Sequence, residues 1–213
     1  GPGRNWGLQN SDLLLAIGSR ISGRITGGNL KSFARAAKKY VVDVDMTLLD
    51  RKLQQVPFDV NIYCDAKIFI SRLMKKLTIK SIPSFSGWVK RVIDWRDKYT
   101  TVLPEYYQQN EHVQPYVFMK ILSEELGSQD IIVGDCGGNI VVTSHAFETK
   151  TGQRLLTSNG NSPMGFSFAG AMGAWFAQPN RNVICLIGDG GFNMNIQELQ
   201  TYKNYGVKVK TFI

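Results

Sequence analysis

Apolar residues fall along the chain in short runs between turn residues, and the period of the runs changes in a regular order. Asp12 to Gly18 (DLLLAIG) is an apolar run closed by glycine and predicts a buried strand. Leu30, Phe33, Ala34 and Ala37 recur at helical spacing and predict a helix over Leu30 to Tyr40. Tyr40 to Val44 (YVVDV) is β-branched and reads as the next strand. Asn61 to Tyr63 is a third short strand, and Ala66 to Leu77 a closing helix. Strand, helix and strand at this spacing predict a parallel α/β layer.

A different texture follows over about 80–110. Prolines, serines and a glycine (Pro83, Ser84, Ser86, Gly87, Pro104) stand among aromatics, and one amphipathic helix is expected from Trp88 to Tyr99. The tryptophans of that helix are expected to pack on neighbouring structure.

The second block, 111–213, resumes the α/β rhythm. Val117 to Leu126 reads as a helix and Ile131 to Val133 as a strand ending at Gly134-Asp135. Gly165, Ala169, Gly173 and Ala177 form a small-residue stripe at steps of four, expected to press a helix against a sheet or another helix. Val183 to Ile187 (VICLI) is a buried strand. A helix is expected from Asn195 to Tyr205, with Asn195 as N-cap, Glu198 at the capping-box position and Gly206 as the stop. Val207 to Ile213 alternates as a final strand. The fold class is α/β, with two parallel-sheet, three-layer (doubly wound) domains, both incomplete. The expected division is 1–79, a connector over 80–110, and 111–213.

Charge alters this picture little. Residues 1–103 hold 18 Lys/Arg against 8 Asp/Glu, a balance of +10, and residues 104–213 hold 7 against 9, a balance of −2. A basic half fits either an anionic partner or a solvated face. No aromatic–basic interleaving marks a base-stacking surface, so no nucleic-acid partner is expected. Lys38-Lys39 and Lys75-Lys76 are placed at helix ends, where the macrodipole favours cations. No apolar run approaches the roughly 20 residues of a membrane span, and no apolar core follows Gly1-Pro2-Gly3-Arg4, so neither a membrane nor a signal peptide is expected. Cys64, Cys136 and Cys185 form no C-x-x-C and suit a reducing compartment, the cytoplasm. His112 and His145 are too few and too scattered for a zinc site by themselves.

The chemistry concentrates in Val183 to Thr201, VICLIGDGGFNMNIQELQT. A buried strand runs into Gly188-Asp189-Gly190-Gly191, and a helix follows. Ligands of open α/β sheets sit beyond the carboxyl ends of the strands. A glycine turn lets a phosphate approach the backbone, and a helix N-terminus adds N–H groups and a favourable dipole. A carboxylate beside a diphosphate is repulsive unless a divalent cation lies between them, and Mg²⁺ favours oxygen ligands shared with phosphates. On these residues alone, two readings stand: a cation–phosphate site at Asp189, or a strand-to-helix turn with an Asp cap.

GDGGF-x-MN-x-QEL-x-T resembles the start of the thiamine-diphosphate motif in its acetolactate-synthase-like form. The resemblance gives Asp189 the role of Mg²⁺ ligand and puts Gly188, Gly190 and Gly191 beside the cofactor. Asp130 to Asn139 (DIIVGDCGGN) is similar to the strand and turn that hold the diphosphate, with Gly137, Gly138 and Asn139 where many acetolactate synthases have Gly-Gln-His. Ser158 to Ala174 (SNGNSPMGFSFAGAMGA) resembles the stretch whose Met wedges between the two cofactor rings. That implies Met164 for the wedge and Ser162 where a glycine is usual. Without this motif, Met164 reads as core filler. The first block, NSDLLLAIGSRISGRITG…FARAAKKYVVDVD…DAK, is similar to the C-terminal part of the central domain of the group. Some members bind FAD there, through positions matched by Gly18, Arg20, Asp45 and Asp65.

The resemblance implies a 2-keto acid substrate, C–C bond cleavage and formation through a cofactor ylide, and a parent that is a homodimer or homotetramer. It also implies a catalytic Glu on a preceding pyrimidine-binding domain and a second metal ligand, an Asn, beyond Ile213. The 213-residue chain alone is therefore expected to show no turnover. The competing expectation is a noncatalytic nucleotide- or phosphate-binding α/β module.

Overall fold

The computed structural model describes residues 2–77 and 83–213. Two compact units divide the chain, Gly1–Thr100 and Thr101–Ile213. The expected junction at 79/80 lies outside the described residues. Both units are α/β, and both sheets are small and wholly parallel.

In the first unit, helix α1 (Pro2–Gln9) precedes strand β1 (Leu13–Ile17) and the short helix α2 (Gly23–Thr26). Strand β2 (Lys38–Asp43), helix α3 (Met46–Leu49), strand β3 (Val60–Tyr63), and helices α4 (Ala66–Lys76) and α5 (Ser86–Lys98) follow. The sheet order is β1-β2-β3, with Leu14 opposite Lys39 and Tyr40 opposite Val60. Two apolar clusters build the core, one around Ala16, Val41, Leu49 and Phe58, the other around Phe33, Ala34, Ala37 and Val56.

Three expectations for this unit are corrected. The helix over Leu30 to Tyr40 is only a 3-10 turn at Leu30–Ser32. Ala34 then adopts a left-handed conformation (φ +43°), which ends helical winding. Phe33, Ala34 and Ala37 are buried as expected, but from a turn. Lys38 and Lys39 consequently lie in β2, where pairing with Leu13 and Leu14 outweighs local propensity, and no helix dipole reaches them. Lys75 and Lys76 do close α4. Strand β1 is not sealed on both faces, since Leu13 is 57% and Leu15 38% exposed.

Helix α5 lies against α1. A Cβ on Gly3 would sit 2.7 Å from Arg96 Cα, so glycine permits the approach. Trp6 stacks on Tyr99 at 5.7 Å, and Trp88 meets Trp95 edge-on at 5.7 Å.

In the second unit a 3-10 turn, Pro104–Gln108, leads to helix α6 (Pro115–Glu125), strand β4 (Ile131–Gly134), helix α7 (Gly137–Ala146) and strand β5 (Arg154–Leu156). Helix α8 (Phe166–Ala177), strand β6 (Val183–Leu186), helices α9 (Asp189–Met194) and α10 (Glu198–Tyr205), and strand β7 (Val209–Phe212) complete it. The order is β5-β4-β6-β7. Strict alternation divides the core. Ile132, Ile184 and Leu186 join Met119, Leu126, Ala146 and Phe147 on one face. Ile131, Val133, Val183, Cys185 and Ile187 meet Phe168 and Ala171 on the other. The result is a three-layer, doubly wound arrangement.

Two further expectations fail here. Ala169, Gly173 and Ala177 of the small-residue stripe are exposed, and nothing lies within 4 Å of a Cβ built on Gly173. The packing face of α8 is Ser167, Phe168 and Ala171, with Gly170 close to Val133. The helix expected over Asn195 to Tyr205 starts at Glu198. Asn195 instead ends α9, its N–H bonded to the Phe192 carbonyl, and Glu198 accepts from Thr201 Oγ1 rather than closing a capping box. Gly206 stops α10 in a left-handed conformation, as expected.

Candidate functional site

The strand order places a switch point between β4 and β6. From β4 the chain moves outward to β5; from β6 it moves the opposite way to β7. Loops leaving the carboxyl ends of such a pair diverge and leave a crevice, the usual ligand position in open α/β sheets. Two candidate segments leave there, Gly134 to Asn139 from β4 and Ile187 to Gly191 from β6.

Each segment turns directly into a helix whose first turn lacks a side-chain cap. The N-cap of α7 is Cys136 and that of α9 is Gly188, neither making a side-chain cap bond. The leading N–H groups of both helices therefore lack that partner, and such groups favour an anion. Gly137 has φ +61°, and a Cβ on Gly137, Gly138 or Gly188 would meet nothing within 4 Å, so the backbone there is open to approach. Asp189 is the first residue of α9 and is exposed. Among the described residues, no three His, Cys, Asp or Glu side chains gather into a metal cluster. Asp189 is the carboxylate carried by the glycine turn.

Asn139 does not face outward through its carbonyl oxygen. Its Oδ1 accepts from the Asp135 backbone N–H at 3.2 Å, which ties the start of α7 back to the strand end. Ser162 has φ +47°, a left-handed backbone that explains why glycine is usual at the matching position. Met164 is 47% exposed, so it is not core filler; its Cε lies 2.8 Å from where a Gly190 Cβ would be. The methionine turn and the glycine turn are thus in contact.

Two residues outside the expected set of site residues join these turns. Asp135 is 3% exposed, and its carboxylate accepts from the N–H groups of Gly165 (3.1 Å) and Ser167 (3.0 Å). Asn195 Nδ2 donates to the Gly165 carbonyl at 2.8 Å. The available signal for Asp135 was an acid closing a fully apolar strand; Asn195 had none beyond its place in the motif. Behind the site, burial pushes the Cys185 thiol up to about 11, opposed by its Ser167 hydrogen bond and helped by the Asp135 charge. Cys185 is a neutral, apolar filler at ordinary pH.

The candidate flavin positions lie at the carboxyl edge of the first sheet. Gly18 (φ +56°) leaves β1 with its N–H bonded to the Val42 carbonyl. Asp45 caps α3, and Asp65 caps α4 by accepting from the N–H groups of Lys67 and Ile68. Hydrogen bonds from Thr47, side chain first, hold the Asp45 carboxyl below its ordinary range, with a smaller contribution from the Arg20 charge. Met46, Thr47, Leu49, Asp50 and Leu53 line an open hollow of about 450 Å³.

Residues 135–213 match the family described as thiamine pyrophosphate enzyme, C-terminal TPP binding domain. Over 96% of its length the chain is 34% identical to a probable acetolactate synthase large subunit of Methanococcus aeolicus, of which it covers 35%. It is 31% identical over 98% of its length to the acetolactate synthase large subunit of Lactococcus lactis subsp. lactis, again covering 35%. Against acetolactate synthase 2, chloroplastic, of Brassica napus the identity is 30% over 98% of the chain and 32% of that protein. The chain thus spans about a third of the length of these relatives.

Proposed function

We propose, on the premise that the chain belongs to the thiamine-diphosphate-dependent enzymes of the acetolactate-synthase-like group, that it carries the diphosphate-binding part of a 2-keto acid decarboxylase/carboligase. One observation bears most of the weight. Two uncapped, glycine-opened helix starts stand on adjacent parallel strands at the switch point, and one of them presents an exposed carboxylate.

In this reading, the leading amides of α7 and α9 would receive the diphosphate, and Asp189 would hold the Mg²⁺ that neutralises it. Gly137, Gly138 and Gly188 keep the backbone accessible, Gly190 and Gly191 allow the close approach of Met164 and Asp135, and Met164 would prop the cofactor between its rings. Bound there, thiamine diphosphate would supply an electron sink for bonds next to a carbonyl carbon. The residues of this chain contribute binding, orientation and exclusion of water. Pyruvate or another 2-keto acid is the substrate class, and the names of the relatives favour acetolactate chemistry. Assembly as a homodimer or homotetramer in the cytoplasm goes with the same reading. Residues 1–79 would be the C-terminal part of a central domain. Asp45 and Asp65 already act as helix caps there, which favours a scaffold role over FAD binding. A full-length protein purified with flavin absorbance would reverse that preference.

The test uses full-length protein carrying Asp189→Asn. Magnesium-dependent binding of thiamine diphosphate, measured by calorimetry, should fall by at least about tenfold together with carbon dioxide release from pyruvate. Undiminished binding would end the assignment of Asp189. Tight binding by the unaltered protein without turnover of any 2-keto acid would favour the noncatalytic phosphate-binding module.

A further inference from the structure

We infer that Asp135 is a positioning residue that clamps the Met164 turn to the Gly190–Gly191 turn. The clamp is visible without a ligand; its purpose rests on the cofactor reading above. The carboxylate sits at the carboxyl end of β4, between the two turns. Oδ2 accepts from the Gly165 N–H, the residue directly after Met164, and Oδ1 accepts from the Ser167 N–H in the first turn of α8. On the other side, any Cβ on Gly191 would collide with Oδ2, so glycine lets the α9 turn close directly onto the same oxygen.

Backbone on both sides reinforces the geometry. Gly165 has φ +86°, and a Cβ there would lie 2.9 Å from the Gly191 carbonyl oxygen. Asn195, at the end of α9, holds the Gly165 carbonyl. Met164, next in the chain, reaches Gly190. A buried carboxylate is costly unless its lone pairs are filled, and here backbone amides fill them. Those amides belong to a segment 30 residues away, so the acid fixes a long-range register. The position of Met164 relative to Asp189 follows from that register.

Asp130 provides a matched control. It is also buried, at the opposite end of β4, and accepts a backbone N–H from Gly127 at 2.8 Å. Asp135→Asn keeps the shape but presents an NH₂ group to one N–H donor. Asp130→Asn makes the same substitution at a buried site far from the two turns, where the amide oxygen can still meet the Gly127 N–H.

The experiment labels the methionine methyls of the 213-residue chain and follows the nuclear Overhauser contact between the Met164 methyl and the Gly190 α-protons. It is expected to be lost in Asp135→Asn and kept in Asp130→Asn, even where both variants melt at similarly lowered temperatures. A contact of unaltered strength in Asp135→Asn overturns the clamp. Should Asp135→Asn fail to fold, amide hydrogen exchange of the unaltered chain decides: slow exchange at the Gly165 and Ser167 N–H groups is expected, and fast exchange at both overturns the clamp. Thiamine diphosphate with Mg²⁺ is then titrated into the full-length protein carrying each substitution. Affinity about tenfold weaker in Asp135→Asn but not in Asp130→Asn is expected. Equal affinities would overturn the role toward the cofactor. If the unaltered full-length protein binds no cofactor, the functional reading loses support, while the methyl contact still decides the clamp.

Discussion

At the scale of single residues, the site is governed by backbone conformation more than by reactive side chains. Ser162 and Gly165 make the point from opposite directions. Ser162 holds φ +47° with a side chain that disfavours it, so Ser162→Gly should stabilise the chain by about 0.5–1 kcal/mol, read as a higher melting temperature. Gly165→Ala should cost about 2 kcal/mol or more, because the new Cβ would lie 2.6 Å from Asn195 Nδ2 in a left-handed backbone. A neutral result for Gly165→Ala in a urea titration would show that the contact relaxes freely. Glycines at 188, 190 and 191 were legible as turn residues from the motif. The conformation of Ser162 and the burial of Asp135 were not: serine carries no local signal for a left-handed backbone, and the donors that bury Asp135 lie 30 and 32 residues away.

At the scale of elements, α8 is the piece that seats the methionine turn. Phe168 anchors it, stacked on Tyr202 at 4.5 Å and edge-on to Phe192 at 5.1 Å, while the Tyr202 hydroxyl donates to the Phe168 carbonyl at 2.8 Å. Phe168→Ala should cost about 3–5 kcal/mol, measured by chemical denaturation. A loss below about 1 kcal/mol would mean that α8 is held elsewhere. Elements with a strong apolar period (β4, β6, α6 and α4) stand within a residue or two of their expected bounds. Those resting on one local signal did not survive. The Leu30 to Tyr40 helix gave way to a turn and a longer β2, and the Asn195 cap was drawn off to Gly165. Helix α7 was missed because Gly137 and Gly138 argue against a helix, although Ile140, Thr143 and Ala146 bury one face of it.

At the scale of the whole molecule, the two units differ in charge and in what titrates. No described helix is long and apolar enough to cross a membrane. In the second unit, burial raises the Cys185 thiol to about 11; burial, then the Cys185 and Glu198 charges, raise the Tyr202 phenol as well. Both groups keep their protons in the fold after an unfolded chain would have lost them. Their stabilising contribution is therefore complete below pH 9 and falls as pH rises through 9 to 11 and beyond, by about 1.4 kcal/mol per pH unit for each group titrating in the unfolded chain. Urea midpoints should be level from pH 7 to 8 and drop above 9. Cys185→Ala should flatten part of that drop, and an unchanged slope would remove the thiol from the account.

The sequence alone determined the class of fold, the order of most elements and the chemical character of the turns, because hydrophobic period and glycine placement act locally. It also carried the motif whose resemblance to the thiamine-diphosphate family led to the proposal for Asp189, Met164 and the glycines. Tertiary structure decided which side of the sheet each segment serves, that β4 and β6 flank the switch point, and that Asp135, 30 residues from Gly165 in the chain, lies between the two turns. Those outcomes come from strand pairing and from the need of a buried carboxylate for donors, and both are settled only when distant parts of the chain meet.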